Sequence, residues 1–556
     1  ISKRGTEFTE DSYTKNKILR VMINQNKVLL LLMMLIIGCK PYPSKNTTLV
    51  NPNKKNLLFI IVDQQRYDAL SIAGNPIVKT PNLDKLARQG AYFKNAYTPV
   101  AVCGPARSSI LTGTTMNTHQ VTTNDKTYDY NDTPVMTMKT FDEILTEKGY
   151  HAEYYGKWHV LTSHSEVYKN QKKYAKNGKN IFEPQGQRHL YLDYLNDVFP
   201  KVKPQKGELL DRFTKRPYTP DPIDIDYGKT YNDVKKEVKH RHSQPNYHGK
   251  SSIPKEHTIT AYYANKTIDA IKRLKNKPFS ITTSFHFPHA PMIPSEPYYS
   301  MYDPEKMPIP SSIKDDMQNS PYINANGRNK LTVFADEEKI KYMISNYYGL
   351  ITELDDWMGK IMETLEDEGI AEHTMVIFTS DHGEMLGAHG MREKNVFYEE
   401  SSHVPLMIKM PTEIKKETTV NGYVSNVDLF ATIMDYLNIG NYKSDGESLR
   451  DLIEQKQTNH GNYVVTEWDY RGPIQPNYMI LKDGWKLMIP YTEDSKVLNV
   501  LFNLNDDPQE INNLLGKNPD REKYNKKAEE LRANLLDWLK KNNSKHYDGV
   551  SKRKLI

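Results

Sequence analysis

The residues of this chain best placed to do chemistry together are Cys103, Pro105 and Arg107, in the stretch Val102-Cys103-Gly104-Pro105-Ala106-Arg107-Ser108-Ser109-Ile110-Leu111-Thr112-Gly113. Pro105 suits the first turn of a helix, where its missing N–H is no loss. This predicts a helix from Pro105 with Cys103 at or just before its N-terminus, where unpaired N–H groups and the dipole favour an anion. Arg107, about one turn on, can point a planar fork at the same anion. A thiol, an anion cradle and a fixed cation this close together suit chemistry on a tetrahedral oxyanion. Taken alone, the stretch also has a bland reading, since a lone Cys is more often a small buried apolar residue.

Two carboxylates stand at a second suggestive place. Asn56 to Val62 and Thr374 to Ser380 are unbroken apolar runs, which suit strands buried on both faces of a parallel sheet. They end in Asp63-Gln64 and Asp381-His382. Ligands of α/β sheets sit past the carboxyl ends of strands, and hard oxygen donors gathered there suit Ca²⁺ or Mg²⁺. A third strand, Tyr150 to Tyr155, runs into Gly156-Lys157-Trp158-His159, where Lys157 and His159 can share a direction. By itself that pair is more commonly a surface Lys and a packed His. Phe279 to Phe285 delivers His286-Phe287-Pro288-His289-Ala290-Pro291, whose prolines fix the direction of His289; His286 reads as structural.

The Cys-x-Pro-x-Arg string with its Thr-Gly tail resembles the signature of the type I sulfatases, and the other pieces follow in that family's order over most of residues 55 to 515. The resemblance implies an α/β fold of the alkaline-phosphatase-like kind, a mixed sheet sandwiched by helices, with a smaller C-terminal subdomain of antiparallel sheet and helix. It implies that a maturation enzyme oxidises Cys103 to formylglycine, whose hydrate attacks the ester sulfur. It further implies a calcium ion, favoured over Mg²⁺, held by Asp63, Gln64, the modified Cys103, Asp381 and His382. Gln64 stands where many members carry Asp, and His382 where others carry Asn, which lowers the negative charge of the set. Arg107, Lys157 and Lys394 would neutralise the oxygens on which charge develops. His289 would act as general acid for the leaving alcohol, and His159 would serve the hydroxyl that must lose a proton to expel sulfate. Three rivals remain open: a phosphonate or phosphate-ester hydrolase of the same fold, an inactive sugar-binding lipoprotein, and a serine hydrolase. The last is disfavoured because no Gly-x-Ser-x-Gly elbow is present.

The positioning elements read as follows. Helices are expected over Thr80 to Gly90, Thr140 to Lys148, Thr258 to Leu274, Asp336 to Gly369, Val427 to Ile439 and about Asp520 to Leu539. Period-two alternation in Tyr463 to Glu467, Tyr478 to Leu481 and Trp485 to Ile489, with a further strand from Leu501, predicts an antiparallel sheet. Residues 160–255 are poorly periodic and rich in Tyr, Lys and His, as in Lys239 to His248; such a tract reads as substrate-recognition loops or as a solvated insertion.

The chain of 556 residues exceeds what one core usually serves. The expected organisation is 1–39 upstream extension and signal, 40–53 linker, 54–440 catalytic domain with the insertion, 441–545 subdomain and 546–556 basic tail. The net charge of +6 is diluted over 75 basic and 69 acidic residues, and no concentrated basic helix appears, so nucleic acid is not an expected partner. Only Cys39 and Cys103 exist, which excludes a disulfide framework. The apolar run Val28 to Ile37, before Gly38-Cys39, is too short to span a bilayer of ~30 Å. It follows a charged stretch from Met22, and Leu35 to Cys39 resembles a bacterial lipobox. The expected address is therefore exported, as a lipoprotein anchored through Cys39 in the periplasm or at the outer membrane, with plain secretion to the periplasm as the alternative. A sulfated oligosaccharide or polysaccharide (ulvan, carrageenan, fucoidan or a glycosaminoglycan) is the expected substrate.

Overall fold

The computed structural model of this chain describes residues 55–124, 136, 138–160, 188–211, 213–221, 248–323, 337–411, 417–440, 442–456, 462–469, 472, 474–494 and 496–556. Cys39 with its signal, the linker, and residues 161–187 and 222–247 of the insertion lie outside the described residues. The described residues fall in one compact unit, Pro52–Ile556.

The main sheet is built from β1 (Asn56–Asp63), β2 (Ala91–Tyr97), β3 (His151–Gly156), β4 (Phe279–Pro288), β5 (Thr374–Ser380), β6 (Leu406–Lys409) and β7 (Thr418–Ser425). Their order is β7-β2-β6-β5-β1-β4-β3. All neighbours are parallel except β6, which runs antiparallel to both β2 and β5. All eight residues of β1 are buried, because β1 has strands on both sides and helices on both faces. A second sheet, β8 (Val464–Glu467), β9 (Tyr478–Lys482), β10 (Trp485–Ile489) and β11 (Val500–Asn503), is wholly antiparallel.

The labelled helices are α1 (Pro81–Arg88), α2 (Cys103–Thr112), α3 (Phe141–Glu147), α4 (Arg188–Val198), α5 (Ile259–Leu274), α6 (Glu337–Asp367), α7 (Asp428–Tyr436), α8 (Asn525–Lys541) and α9 (Tyr547–Lys552). On one face of the main sheet Phe59 and Ile61 pack with Ile110, Phe141, Ile144 and Ile433. On the other, α5 lies on β4 and α6 on α5. The two sheets share a core in which Tyr97, Val100 and Tyr398 meet Met479, Met488 and Phe502. Behind the second sheet, Leu531, Leu535 and Leu539 of α8 pack on Ile480 and Leu487.

Several expectations are corrected in detail. The signature helix begins at Cys103, two residues before Pro105, with Val102 as its cap. Thr80 precedes α1 but makes no side-chain cap; its hydroxyl instead accepts from Ser71 N–H at 2.9 Å. Thr258, by contrast, caps α5 through Ala261 N–H, and Thr140 forms a capping box with Glu143. The insertion is more ordered in part than its weak periodicity suggests: it contains α4 and a small antiparallel sheet of Leu209–Leu210, Pro217–Pro220 and Gly249–Ser251. Of the residues read as a basic tail, Tyr547–Lys552 form α9, Val550 and Leu555 are buried, and the Arg553 guanidinium is bonded to Asn499. Among the described residues, no helix is long and apolar enough to cross a membrane.

Candidate active site

The carboxyl ends of β1, β3, β4 and β5 converge on the N-terminus of α2. All ten residues of α2 are buried. Gly113 ends the helix in the left-handed conformation (φ 67°), and a Cβ there would come within 2.7 Å of Phe430, which accounts for the glycine of the Thr-Gly tail.

Asp63 and Asp381 each divide their oxygens between a cation and the centre of the site. Asp63 Oδ2 is paired with Lys157, and Asp381 Oδ2 accepts from Arg107 Nε at 2.8 Å. The other two oxygens face inward. Asp63 Oδ1 lies 3.7 Å from Cys103 Sγ and 3.7 Å from His382 Nε2, while Asp381 Oδ1 lies 3.6 Å from the same nitrogen. Sγ and Nε2 are 3.0 Å apart. The four donor atoms of Asp63, Cys103, Asp381 and His382 all lie within 4.8 Å of one another, and all four residues are buried.

Backbone groups hold this arrangement. Gln64 N–H and His382 N–H donate to Asp381 Oδ1 (3.1 and 2.9 Å). His382 Nδ1 is 2.9 Å from Gly383 O, which assigns the proton to Nδ1 and turns the Nε2 lone pair to the centre. Arg107 Nη1 reaches Lys157 O at 3.1 Å and Ser284 Oγ at 2.7 Å, while its Nη2, though buried, has no partner. Gly156, at φ 101°, lies so close to β4 that a Cβ would collide with Ser284 O. The Lys157 backbone is held further, its N–H on Ser284 O (3.0 Å) and its carbonyl on Tyr154 OH (2.5 Å).

Burial and proximity shift the charges. Burial alone would raise Asp63, but Lys157, with His289, Arg107 and Lys394, holds its carboxyl well below the usual range. Burial and the neighbouring Asp63 push Asp381 up. Burial and Asp63 oppose ionisation of Cys103, yet Lys157, Lys394 and His382 bring its thiol down to about 6. Burial, then Lys394 and Lys157, keep the His289 imidazole well below its ordinary value. His159 is lowered by burial, Lys157 and Arg107.

The structure thus brings Asp63, Cys103, Arg107, Lys157, Asp381 and His382 into direct contact. Gln64 joins through its N–H, and its side chain bridges Lys394 and Glu384. His289 Nδ1 is 2.7 Å from Ala290 O, so its Nε2 is the nitrogen left for chemistry. His286 is buried and stands 5.5 Å, ring to ring, from His289. Three supporting residues were not foreseen: Glu384, Ser284, and Tyr347, whose hydroxyl donates to Gln64 O at 2.6 Å. Glu384 and Ser284 were legible in principle, since each lies within four residues of a predicted strand end. Tyr347 had no such signal.

Two inward carboxylate oxygens, an oriented imidazole and the side chain at position 103 fit a divalent cation. Around them Arg107, Lys157 and Lys394 give three cations against two carboxylates, which suits an anionic ligand beside the metal.

The chain is similar to known proteins over most of its length. A sequence model of the family described as Sulfatase matches residues 55–439. A second, described as N-sulphoglucosamine sulphohydrolase, C-terminal, matches residues 387–541. An arylsulfatase of Clostridium perfringens is 28% identical over 510 residues, covering 89% of this chain and 96% of its own length. An ulvan-active sulfatase of Formosa agariphila is 28% identical over 516 residues, covering 89% and 85%. The crystal structure of a phosphonate monoester hydrolase of Agrobacterium radiobacter superposes with a TM-score of 0.68 at 22% identity, covering 88% and 96%, which shows the shared fold.

Proposed function

The chain belongs to the sulfatase family and is a sulfuric ester hydrolase, and from this premise we propose that it removes sulfate from a sulfated carbohydrate, using a formylglycine made from Cys103 and a bound divalent cation, Ca²⁺ before Mg²⁺. The observation that carries this reading is the buried tetrad of Asp63, Cys103, Asp381 and His382, enclosed by Arg107 and Lys157. A carbohydrate is favoured by the relative named as ulvan-active and by the C-terminal match to a sulphoglucosamine sulphohydrolase model.

When bound, the cation and the hydrated aldehyde would supply an activated oxygen nucleophile and a sink for charge on the ester oxygens. Asp63, Asp381 and His382 would hold the cation, with Gln64 orienting Asp381. The Arg107 Nη2 proton and the Lys157 and Lys394 ammoniums favour the sulfate group over a neutral one. Burial, Lys394 and Lys157 disfavour the protonated His289 imidazole; the negative charge an ester brings would offset Lys394 and Lys157 and favour protonation at Nε2, from which the leaving alcohol would be protonated. His159, within the field of Lys157 and Arg107, would accept the proton that the hydroxyl at position 103 must lose.

A second reading, hydrolysis of phosphonate or phosphate esters, has specific support in Gln64 and His382, which leave only two carboxylates in the metal set. Measuring inorganic sulfate released from a panel of sulfated oligosaccharides, beside aryl sulfate and aryl phosphonate esters, separates the two. Preference for the phosphonate by kcat/KM would displace the sulfate reading. Export and lipidation through Cys39 remain part of the proposal; metabolic labelling with a lipid precursor, lost in Cys39→Ser, tests them.

A further inference from the structure

As encoded, the centre of the site holds a thiol sulfur, an imidazole nitrogen and two carboxylate oxygens. Four of their six separations are 3.0, 3.6, 3.7 and 3.7 Å, and all six lie within 4.8 Å. Bonds of roughly 2.0–2.3 Å to zinc require tetrahedral edges of roughly 3.3–3.7 Å. A hard cation is served differently: Ca²⁺ takes about 6–8 oxygens and gains little from sulfur. The tetrad is also poised electrostatically. Asp63 Oδ2 and Asp381 Oδ2 are already neutralised from outside by Lys157 and Arg107, so the inward oxygens can be shared with a cation without moving those pairs. His382 is oriented by Gly383 O in the manner of a metal ligand.

We propose that the chain bearing the unmodified Cys103 thiol is a zinc-binding protein, and that with the oxygens of a hydrated aldehyde in place of that sulfur the same positions form a hard-cation site. The thiol proton is released to solvent when the metal binds. The second half rests on the formylglycine reading above; the first does not.

The test uses the full chain produced without a maturation system, with mass spectrometry showing unmodified Cys at position 103, stripped of metal by a chelator. Titration with Co²⁺ should raise a thiolate-to-metal charge-transfer band. Stoichiometric Zn²⁺ should abolish that band, whereas Ca²⁺ in the millimolar range should not, corresponding to a preference of at least about 10³-fold. Cys103→Ser should lose the band and weaken Zn²⁺ binding roughly 100-fold, while His382→Asn should keep a band and bind at least about tenfold more weakly. Circular dichroism of each variant confirms that it is folded. Absence of the band in folded wild type, unchanged Zn²⁺ affinity in Cys103→Ser, or displacement by equimolar Ca²⁺ would overturn the proposal. The outcome is independent of turnover: a matured sample that releases no sulfate sinks the functional reading and leaves the zinc result standing.

Discussion

Arg107 Nε and Asp381 Oδ2, 2.8 Å apart and both buried, form the ion pair that ties the start of α2 to the end of β5. The same guanidinium also reaches Lys157 O and Ser284 Oγ, so one planar group links β5, β4 and the residue just past β3. A lysine can supply the charge but not the fork. Arg107→Lys is expected to lower kcat by about 10²–10³-fold while the protein still folds. Steady-state kinetics beside a melting curve check this, and a kcat within threefold of wild type would show that the fork is dispensable.

His289 presents Nε2 because Nδ1 is engaged by Ala290 O. If Nε2 protonates the leaving oxygen, the need for it scales with how poor the leaving group is. His289→Asn should therefore cost about 10²–10⁴-fold on a sugar sulfate and far less on a nitrophenyl sulfate. Equal losses on both substrates would assign His289 to binding instead.

Stability should depend on pH through Glu467. Its Oε1 accepts Met116 N–H at 2.7 Å, its Oε2 is buried without a partner, and burial raises its pKa to about 8. An unfolded glutamate releases its proton near 4.5. Between these values the folded state binds more protons, so this contribution is complete at low pH and is lost as pH rises toward 8, by at most about 1.4 kcal/mol per pH unit. Glu467→Gln keeps the acceptor and removes the titration. Melting measured at pH 5 and pH 8 should show the variant gaining on wild type only at the higher pH; a constant difference would contradict the assignment.

Lys486, on β10, is wholly buried with Nζ 2.7 Å from Glu399 Oε1 and 2.7 Å from Glu510 Oε1. It neutralises a carboxylate from each side of the contact between the two sheets. Lys486→Ala should destabilise the protein by about 3–5 kcal/mol, because the glutamates are left buried and uncompensated. Adding Glu510→Gln should recover part of that loss in denaturant unfolding. No recovery would mean that lost packing, not charge, dominates.

What the sequence revealed and what it hid follow from locality. β1 and β5 were legible as unbroken apolar runs because both of their faces are covered. The strands β2, β6 and β7 were not: Ala91–Tyr97 carries Lys94 and Asn95, β6 has four residues, and β7 alternates like an edge. The Cys103 motif and the two strand-end aspartates are local features and emerged directly. The pairing of Lys157 with Asp63 did not, because it depends on β3 and β1 flanking β4, an arrangement no local spacing encodes. For the same reason the Gln64–Glu384 contact, across 320 positions, was out of reach.

The small sheet of the insertion is joined to the main body along the segment just after the His289 turn: Gly249 N–H bonds Met292 O, and Ser251 N–H bonds Pro294 O. Met292 is three residues beyond His289. On the reading in which the insertion serves substrate recognition, its small sheet stands only a few peptide units of chain from the His289 imidazole. On that same reading, changing the length of this connection would alter which substrates are accepted while leaving the metal-site residues in place.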